Sequence, residues 1–498
     1  MDIAKLLQES TDKYKDKPAI FFKGKEITFI ELRDNVFKLT NALGSLGLKK
    51  HDKVAIYLPN CPQYIYTYLA IWCSCATAVP LDFMLTEEEL ISCIDHSEAK
   101  IIIAKKKSRV SFSDIKNKCK LLQEVVLLDE GEEFVNFNIL LNNVKEDYPK
   151  AECSDKDYSI IFYTSGTTGK PKGVLINYAQ IAAPAMGMKH FVGLNDKDIA
   201  LCAIPLSHLG GLVFLQSIIF LGTTVVLMER FMPVEFLKNI TEYKVTCFWI
   251  VPSMYYAILQ LKEFESYDLS SLQWVVSFGA PSSAEQLRRF HKYCPQAEFV
   301  NGWGMTETNA PSVVIPKGSK KLESVGLPAP WVELKILDSN NKEVKKTEVG
   351  EIVVKGWVVT DGYYKDDELT KQTKRNGWFY TGDLGRLDTE GYLYICGRKK
   401  EMIKVGGEIV FEPEVEAALH KHPAVSEVAV IGVKDKLRTE VPKAFIVLKE
   451  DTQFAEEEIV FFLKKHLAHF KIPHYFEVLD TLPKTRSGKV DKKVLRDR

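Results

Sequence analysis

Residues 161–174 read Ile161-Phe162-Tyr163-Thr164-Ser165-Gly166-Thr167-Thr168-Gly169-Lys170-Pro171-Lys172-Gly173-Val174. An apolar run, of the kind that enters a core as a strand, gives way to hydroxyls, glycines and lysines. Such a loop turns several backbone N–H groups and hydroxyls towards one point, and its lysines add charge. That is the chemistry of holding a polyphosphate. Gly, Ser, Thr and Pro also mark plain solvated turns, but this alternation directly behind a buried strand favours the phosphate loop. Spacing excludes a Walker A element, which needs four residues between its first glycine and Gly-Lys-Ser/Thr. Here only Thr167 and Thr168 separate Gly166 from Gly169-Lys170, and Pro171 takes the Ser/Thr place.

Upstream of that loop, short apolar strands alternate with helical segments. Residues 28–48 carry apolar positions at helical spacing, 54–58 form a buried strand, 62–75 a helix, and 101–104 and 125–128 further strands. Alternation of this kind implies parallel-rich sheets with helices on both faces. Two long uncharged stretches, 61–81 and 199–228, are interrupted by polar, Gly and Pro residues. They read as strand, loop and helix rather than as an integral membrane segment. The N-terminus lacks the basic start and apolar run of a signal peptide.

The chain's 498 residues suggest several domain-sized units. Lys plus Arg equals Asp plus Glu at 66 each, so no global field draws the chain to nucleic acid or anionic lipid. The ten cysteines are scattered and fit no zinc spacing, and are expected to be reduced, mostly buried thiols of a cytoplasmic protein.

Downstream, His208 lies in the Pro- and Gly-bounded run Ala203-Ile204-Pro205-Leu206-Ser207-His208-Leu209-Gly210-Gly211. Most histidines in apolar settings are structural, but loops on a rigid scaffold carry function. The run Asn301-Gly302-Trp303-Gly304-Met305-Thr306-Glu307 follows a strand. Its glycines allow close backbone approach, its aromatic can cover a flat ring, and its carboxylate suits Mg²⁺ on substrate phosphates. From Gly350 onward the pattern turns β-rich. Asp361-Gly362 and Asn376-Gly377 signal hairpins, and Asp383 beside Gly382 is an acid of a kind that can accept from vicinal ribose hydroxyls, although an ordinary turn acid is the commoner explanation. A charged, glycine-flanked segment, residues 397–407, then introduces a new α+β pattern of about a hundred residues, itself domain-sized.

Together, Tyr163 to Val174, Pro205 to Gly211, Gly302 to Glu307, Glu351 to Gly356, Tyr380 to Asp383, Gly397 to Gly407 and Pro483 to Lys489 resemble the motifs of the adenylate-forming superfamily, in order. Within it the chain looks like an AMP-forming acyl-CoA synthetase. The resemblance implies an α/β fold: a large N-terminal domain (1–396) of packed parallel-rich sheets with helices plus a β-rich subdomain. A hinge (397–402) and a small mobile C-terminal α+β lid domain (403–498) would follow.

The implied reaction activates a carboxylic acid with ATP and Mg²⁺ to an acyl-adenylate and pyrophosphate, then transfers the acyl group to coenzyme A. By matching motifs, Thr164, Ser165, Gly166, Thr167, Thr168, Gly169 and Lys172 would hold the β- and γ-phosphates. Glu307 would take the metal and Thr306 the α-phosphate. Trp303 would stack on adenine, beside Gly279, Ala280, Asn301 and Gly302, and Asp383 and Arg398 would hold the ribose. Lys489 would bridge the acid and the α-phosphate. Lys400 would be the pivot about which the lid turns to bring Gly406, Gly407 and Lys404 to the site. His208 would gate an acyl pocket of Phe191, Leu209, Gly210, Val251, Phe278 and Met305.

Four positions depart from the family pattern: Phe278 for a common glycine, Trp303 for tyrosine, Trp357 for proline, and Pro413 one place late. Phe278 would reshape the pocket. A fatty or aromatic acid is expected, with Gly210 and Gly211 leaving room that favours a medium or long chain. Delivery to a carrier protein is the alternative acceptor, and a non-catalytic nucleotide sensor the alternative of another class. The partners expected are small molecules only, with a homodimer left open.

Overall fold

The structure is a computed structural model. It describes residues 1–498 except 132, 150, 165–170, 279–283, 310, 407, 436, 450–451 and 486–488. Two large sheets form its body. The first has nine strands, ordered Leu327–Pro328, Val313–Val314, Glu298–Trp303, Trp274–Ser277, Cys247–Ile250, Ile199–Cys202, Thr224–Leu227, Pro18–Phe22 and Lys25–Thr28. Its central pairings are parallel and its edges antiparallel. The second has seven, ordered Val135–Asn136, Glu124–Leu127, Ala99–Ala104, Lys53–Tyr57, Thr77–Pro80, Tyr158–Thr164 and Lys172–Asn177.

Strands covered on both faces need no polar alternation, and Val54, Ala55, Ile56 and Tyr57 are all fully buried. The largest core is shared by residues of both sheets and of helices Ile3–Tyr14, Phe29–Ser45, Pro62–Cys73 and Leu209–Leu221. Helix Phe29–Ser45 starts at a capping box. Thr28 accepts from Glu31 N at 3.2 Å while the Glu31 carboxylate accepts from Thr28 N at 2.8 Å. Phe29, Leu32, Val36, Leu39 and Leu43 then recur at helical spacing and are buried. Residues 199–228 resolve into strand, loop, helix and strand, and no described helix is long and apolar enough to cross a membrane.

A five-stranded antiparallel sheet follows, built on Trp378–Leu387 with Gly350–Lys355, Glu333–Leu337, Lys374–Arg375 and Leu393–Arg398. Asn376-Gly377 does turn a hairpin, pairing Arg375 with Trp378. Asp361-Gly362 does not. The chain there is captured by a distant element, with Leu175 N donating to Gly362 O and Tyr363 bridging Val174. A last mixed sheet joins Met402–Val405, Glu408–Phe411, Thr439–Leu448, Val425–Asp435 and Tyr475–Val478. Its two core clusters draw no residue from before 403. On that ground we propose 397–402 as the boundary of a lid.

The expectation that all ten cysteines are reduced is corrected. Cys75 and Cys153 form a disulfide across 78 residues, while the other eight form none. Near neighbours in sequence gave no hint, because the fold itself brings the end of helix Pro62–Cys73 against the segment that enters Tyr158–Thr164. Thiol titration of the denatured, non-reduced protein should therefore count eight thiols. Cys153→Ser should lower the unfolding free energy by about 2–4 kcal/mol, the usual worth of closing a long loop, read from urea unfolding.

Candidate active site

Open parallel sheets bind ligands beyond the carboxyl ends of their strands, and the candidate residues gather there. His208 follows Ile199–Cys202, Val251 follows Cys247–Ile250, Phe278 follows Trp274–Ser277, and Glu298–Trp303 runs into Thr306 and Glu307. The phosphate loop is the tip of an antiparallel hairpin in the second sheet, where Thr164 pairs with Lys172. Gly173 is needed at its base because a Cβ there would stand 2.7 Å from Ile161 Cγ2. Ser165, Gly166, Thr167, Thr168, Gly169, Gly279, Ala280 and Gly407 lie outside the described residues.

Three elements converge on Asp383. Trp303 Nε1 donates to Asp383 Oδ2 at 2.9 Å. Arg398 is the cross-strand partner of Asp383, and its Nε stands 3.0 Å from Oδ1. That ion pair is out of line for a hydrogen bond, so Oδ1 is a buried acceptor with no hydrogen bond among the described residues. Burial pushes the Asp383 carboxyl up, against Arg398 and Trp303. A carboxylate oxygen in this condition fits a ribose hydroxyl.

Glu307 is 8% exposed and begins with Thr306 and Thr308 a short 3-10 turn. Tyr363 Oη donates to its Oε1 at 2.9 Å, and Thr360 N donates to its backbone carbonyl at 2.8 Å. Burial pushes the Glu307 carboxyl up, and the Tyr363 and Arg398 contacts only partly offset this. No cluster of three or more His, Cys, Asp or Glu that could hold a metal ion occurs among the described residues. One buried carboxylate suits Mg²⁺ that arrives on substrate phosphates and keeps other oxygen ligands. The Asn301 side chain is engaged in the fold, donating to Ser324 O at 3.3 Å.

Lys489 reaches this group from the lid. Its segment is fixed below by Lys492, which contacts Glu412 at 2.7 Å and Glu416 at 2.6 Å. The Lys489 side chain meets solvent, yet it stands in a cleft where desolvation and the Arg398 charge lower its pKa while Asp383 raises it. Lys400 is lowered by burial first and by Arg398, and Lys172 contributes in the same direction. Arg398 thus disfavours the charge of both Lys400 and Lys489, and Lys172 that of Lys400, a field that a polyphosphate would relieve. Lys404 and Gly406 lie on the exposed lid hairpin Met402–Val405 and Glu408–Phe411. No described hydrogen bond or ion pair joins them to Asp383, Arg398, Glu307 or Lys489.

The acyl candidates border the main core. Leu209 is buried in it, while Phe191, Phe278 and Met305 pack against it only partly buried. His208 Nε2 stands 3.2 Å from Asp82 Oδ2. The room expected beside Gly210 and Gly211 is filled, which corrects that expectation. A Cβ at Gly211 would meet Pro205 O at 2.1 Å and one at Gly210 would meet Ile204 Cδ1 at 3.0 Å. Trp249 Nε1 donates to Gly210 O at 2.8 Å and stacks on Phe214. Phe278 lies over Gly302, where a Cβ would fall 2.0 Å from its Cε1.

Two partners went unseen in the sequence. Tyr363 was masked by the turn signal before it, and Asp82 follows the carboxyl end of Thr77–Pro80, where an acid invites inspection. The raised Asp383 pKa has a testable sign. AMP binding favours the ionised form, so affinity should fall on acidification starting above the ordinary aspartate range near 3.8. Titration calorimetry of AMP against pH checks this, and Asp383→Asn should abolish that acidic limb.

The AMP-binding enzyme family matches residues 7–364, more than half of the chain, and its C-terminal domain matches residues 414–489. A long-chain-fatty-acid–CoA ligase of Bacillus subtilis (strain 168) is 33% identical over 97% of this chain and 92% of its own length. A feruloyl-CoA synthase of an Amycolatopsis species is 32% identical over 96% and 95%. The crystal structure of an anthranilate CoA ligase in complex with anthranoyl-AMP superposes with TM-score 0.94 at 27% identity, covering 100% of this chain and 97% of that one. With both halves matched, the chain belongs to the AMP-binding enzyme family, the adenylate-forming ligases that join a carboxylic acid, through ATP and Mg²⁺, to coenzyme A.

Proposed function

We propose that this chain is a cytoplasmic acyl-CoA synthetase for a hydrophobic carboxylic acid, fatty or aromatic. The observation that carries it is the meeting of Trp303 and Arg398 on the buried Asp383 carboxylate, whose Oδ1 has no hydrogen bond among the described residues and whose charge acts on Lys489. A carboxylate is a poor electrophile because its carbon bears no good leaving group. In the first step its oxygen bonds to the α-phosphorus of ATP, the α–β anhydride bond breaks, and pyrophosphate departs. Positioning and charge neutralisation carry such a step.

Asp383 and Arg398 hold the ribose, Trp303 covers the base, and Thr164 and Lys172 steady the leaving phosphates. Thr306 meets the α-phosphate. Glu307 holds Mg²⁺, which when bound neutralises phosphate charge. The Lys489 ammonium lies between the carboxylate and the α-phosphate. In the second step the lid turns about Lys400, bringing Gly406, Gly407 and Lys404 towards the acid. The coenzyme A sulfur then bonds to the acyl carbon as the bond to AMP breaks. The relatives named above, all coenzyme A ligases, support coenzyme A over a carrier protein as the acceptor.

Both acid classes have support. A medium or long chain follows the Bacillus subtilis relative, whereas the Phe278 and Trp249 rings suit a flat acid. AMP release from hexanoate, decanoate, palmitate, benzoate and ferulate, with ATP and Mg²⁺, should depend on coenzyme A for at least one acid. No dependence for any would contradict the ligase. Phe278→Ala should unblock the space over Gly302 and shift the kcat/KM preference towards bulkier acids by about tenfold, the worth of one pocket contact. An unchanged ranking would remove Phe278 from specificity.

A further inference from the structure

Among the described residues, one very short hydrogen bond joins the large body to the lid. Tyr256, on helix Pro252–Leu259 directly after Val251, places its hydroxyl 2.5 Å from Ser426 Oγ. Ser426 belongs to lid strand Val425–Asp435 and is only 9% exposed. The pairing of that strand is irregular at this point. Val425 pairs with Leu448 and Glu427 with Val447, so Ser426 is the extra residue of a bulge. Bulges re-aim a side chain out of the regular alternation, and here the re-aimed hydroxyl meets the other body.

The next residue continues the connection. Glu427, half-buried, forms an ion pair with the exposed Lys484. Lys484 bridges Val490 at the base of the hairpin that carries Lys489. Across it Thr485 N donates to Lys489 O at 2.6 Å, and Lys489 N donates to Thr485 Oγ1 at 3.2 Å. One bulge therefore ties the helix behind the acid pocket to the hairpin of the lysine.

We propose that Tyr256 is a positioning residue for the first half-reaction: through the Ser426 bulge and the Glu427–Lys484 pair it holds the lid in the orientation that presents Lys489 to the nucleotide. The inference rests on the ligase reading above. It assigns Tyr256 no contact with substrate. Because the bond spans the two bodies, turning the lid for thioester formation breaks it. Its loss should therefore slow adenylation and leave the second step untouched or faster.

The test uses the full chain, with Tyr256→Phe, Ser426→Ala and the double variant, and the most active acid of the panel. Acid-dependent pyrophosphate release reads the first step, and thioester formation from supplied acyl-adenylate and coenzyme A reads the second. Each single variant should lose about 3- to 10-fold in the first, the usual worth of one hydrogen bond, and nothing in the second. The double variant should be no slower than the slower single one, since both remove the same contact. Equal loss in both steps, additive losses, or unchanged pyrophosphate release would overturn the proposal. A wild-type chain that releases no pyrophosphate with any acid would instead remove the ligase reading, and the inference with it.

Discussion

Asp383 stands where three pieces of chain must agree. Its strand belongs to the five-stranded sheet, Trp303 comes from the nine-stranded sheet, and Arg398 ends the strand that leads to the lid. The carboxylate is 6% exposed and loses hydration. Arg398 keeps 47% of its side chain in solvent, so its attraction is screened and does not fully compensate. Desolvation wins, and the carboxyl is held above its ordinary range. A buried acceptor left unsatisfied is costly to folding. That cost is offset when a hydroxyl-bearing ligand arrives, which makes the same group a weak point of the empty fold and a strong point of the complex.

Positive charge is arranged with the same logic. Lys172 sits on the phosphate hairpin, Arg398 and Lys400 at the proposed hinge, and Lys489 on the proposed lid; desolvation first and the Arg398 charge second lower both Lys400 and Lys489. If the lid turns as proposed, the field would be complete in only one orientation, which an anionic nucleotide would favour and loss of pyrophosphate would favour less. The Tyr256–Ser426 bond adds a local contact to this long-range preference.

Much of this was legible from residue patterns. The strand–helix alternation and the strand that runs into Trp303 are both present as the residue pattern implied. What escaped notice depends on partners far apart in sequence. Cys75 meets Cys153, and Glu307 meets Tyr363, through strand order alone. Asp361-Gly362 carried a hairpin signal that a neighbouring strand overrode. The room assigned to Gly210 and Gly211 was a misreading of why glycine is there, since the tight turn at Pro205 takes up the missing side chain of Gly211.

The central claim is that one lysine on a lid serves only the first of two reactions at a shared cleft. The direct measurement compares wild type and Lys489→Ala in both half-reactions. The variant should lose pyrophosphate release by about 10²–10³, the typical effect of one lost transition-state contact, while converting supplied acyl-adenylate to thioester at the wild-type rate. Equal loss in both would contradict the account.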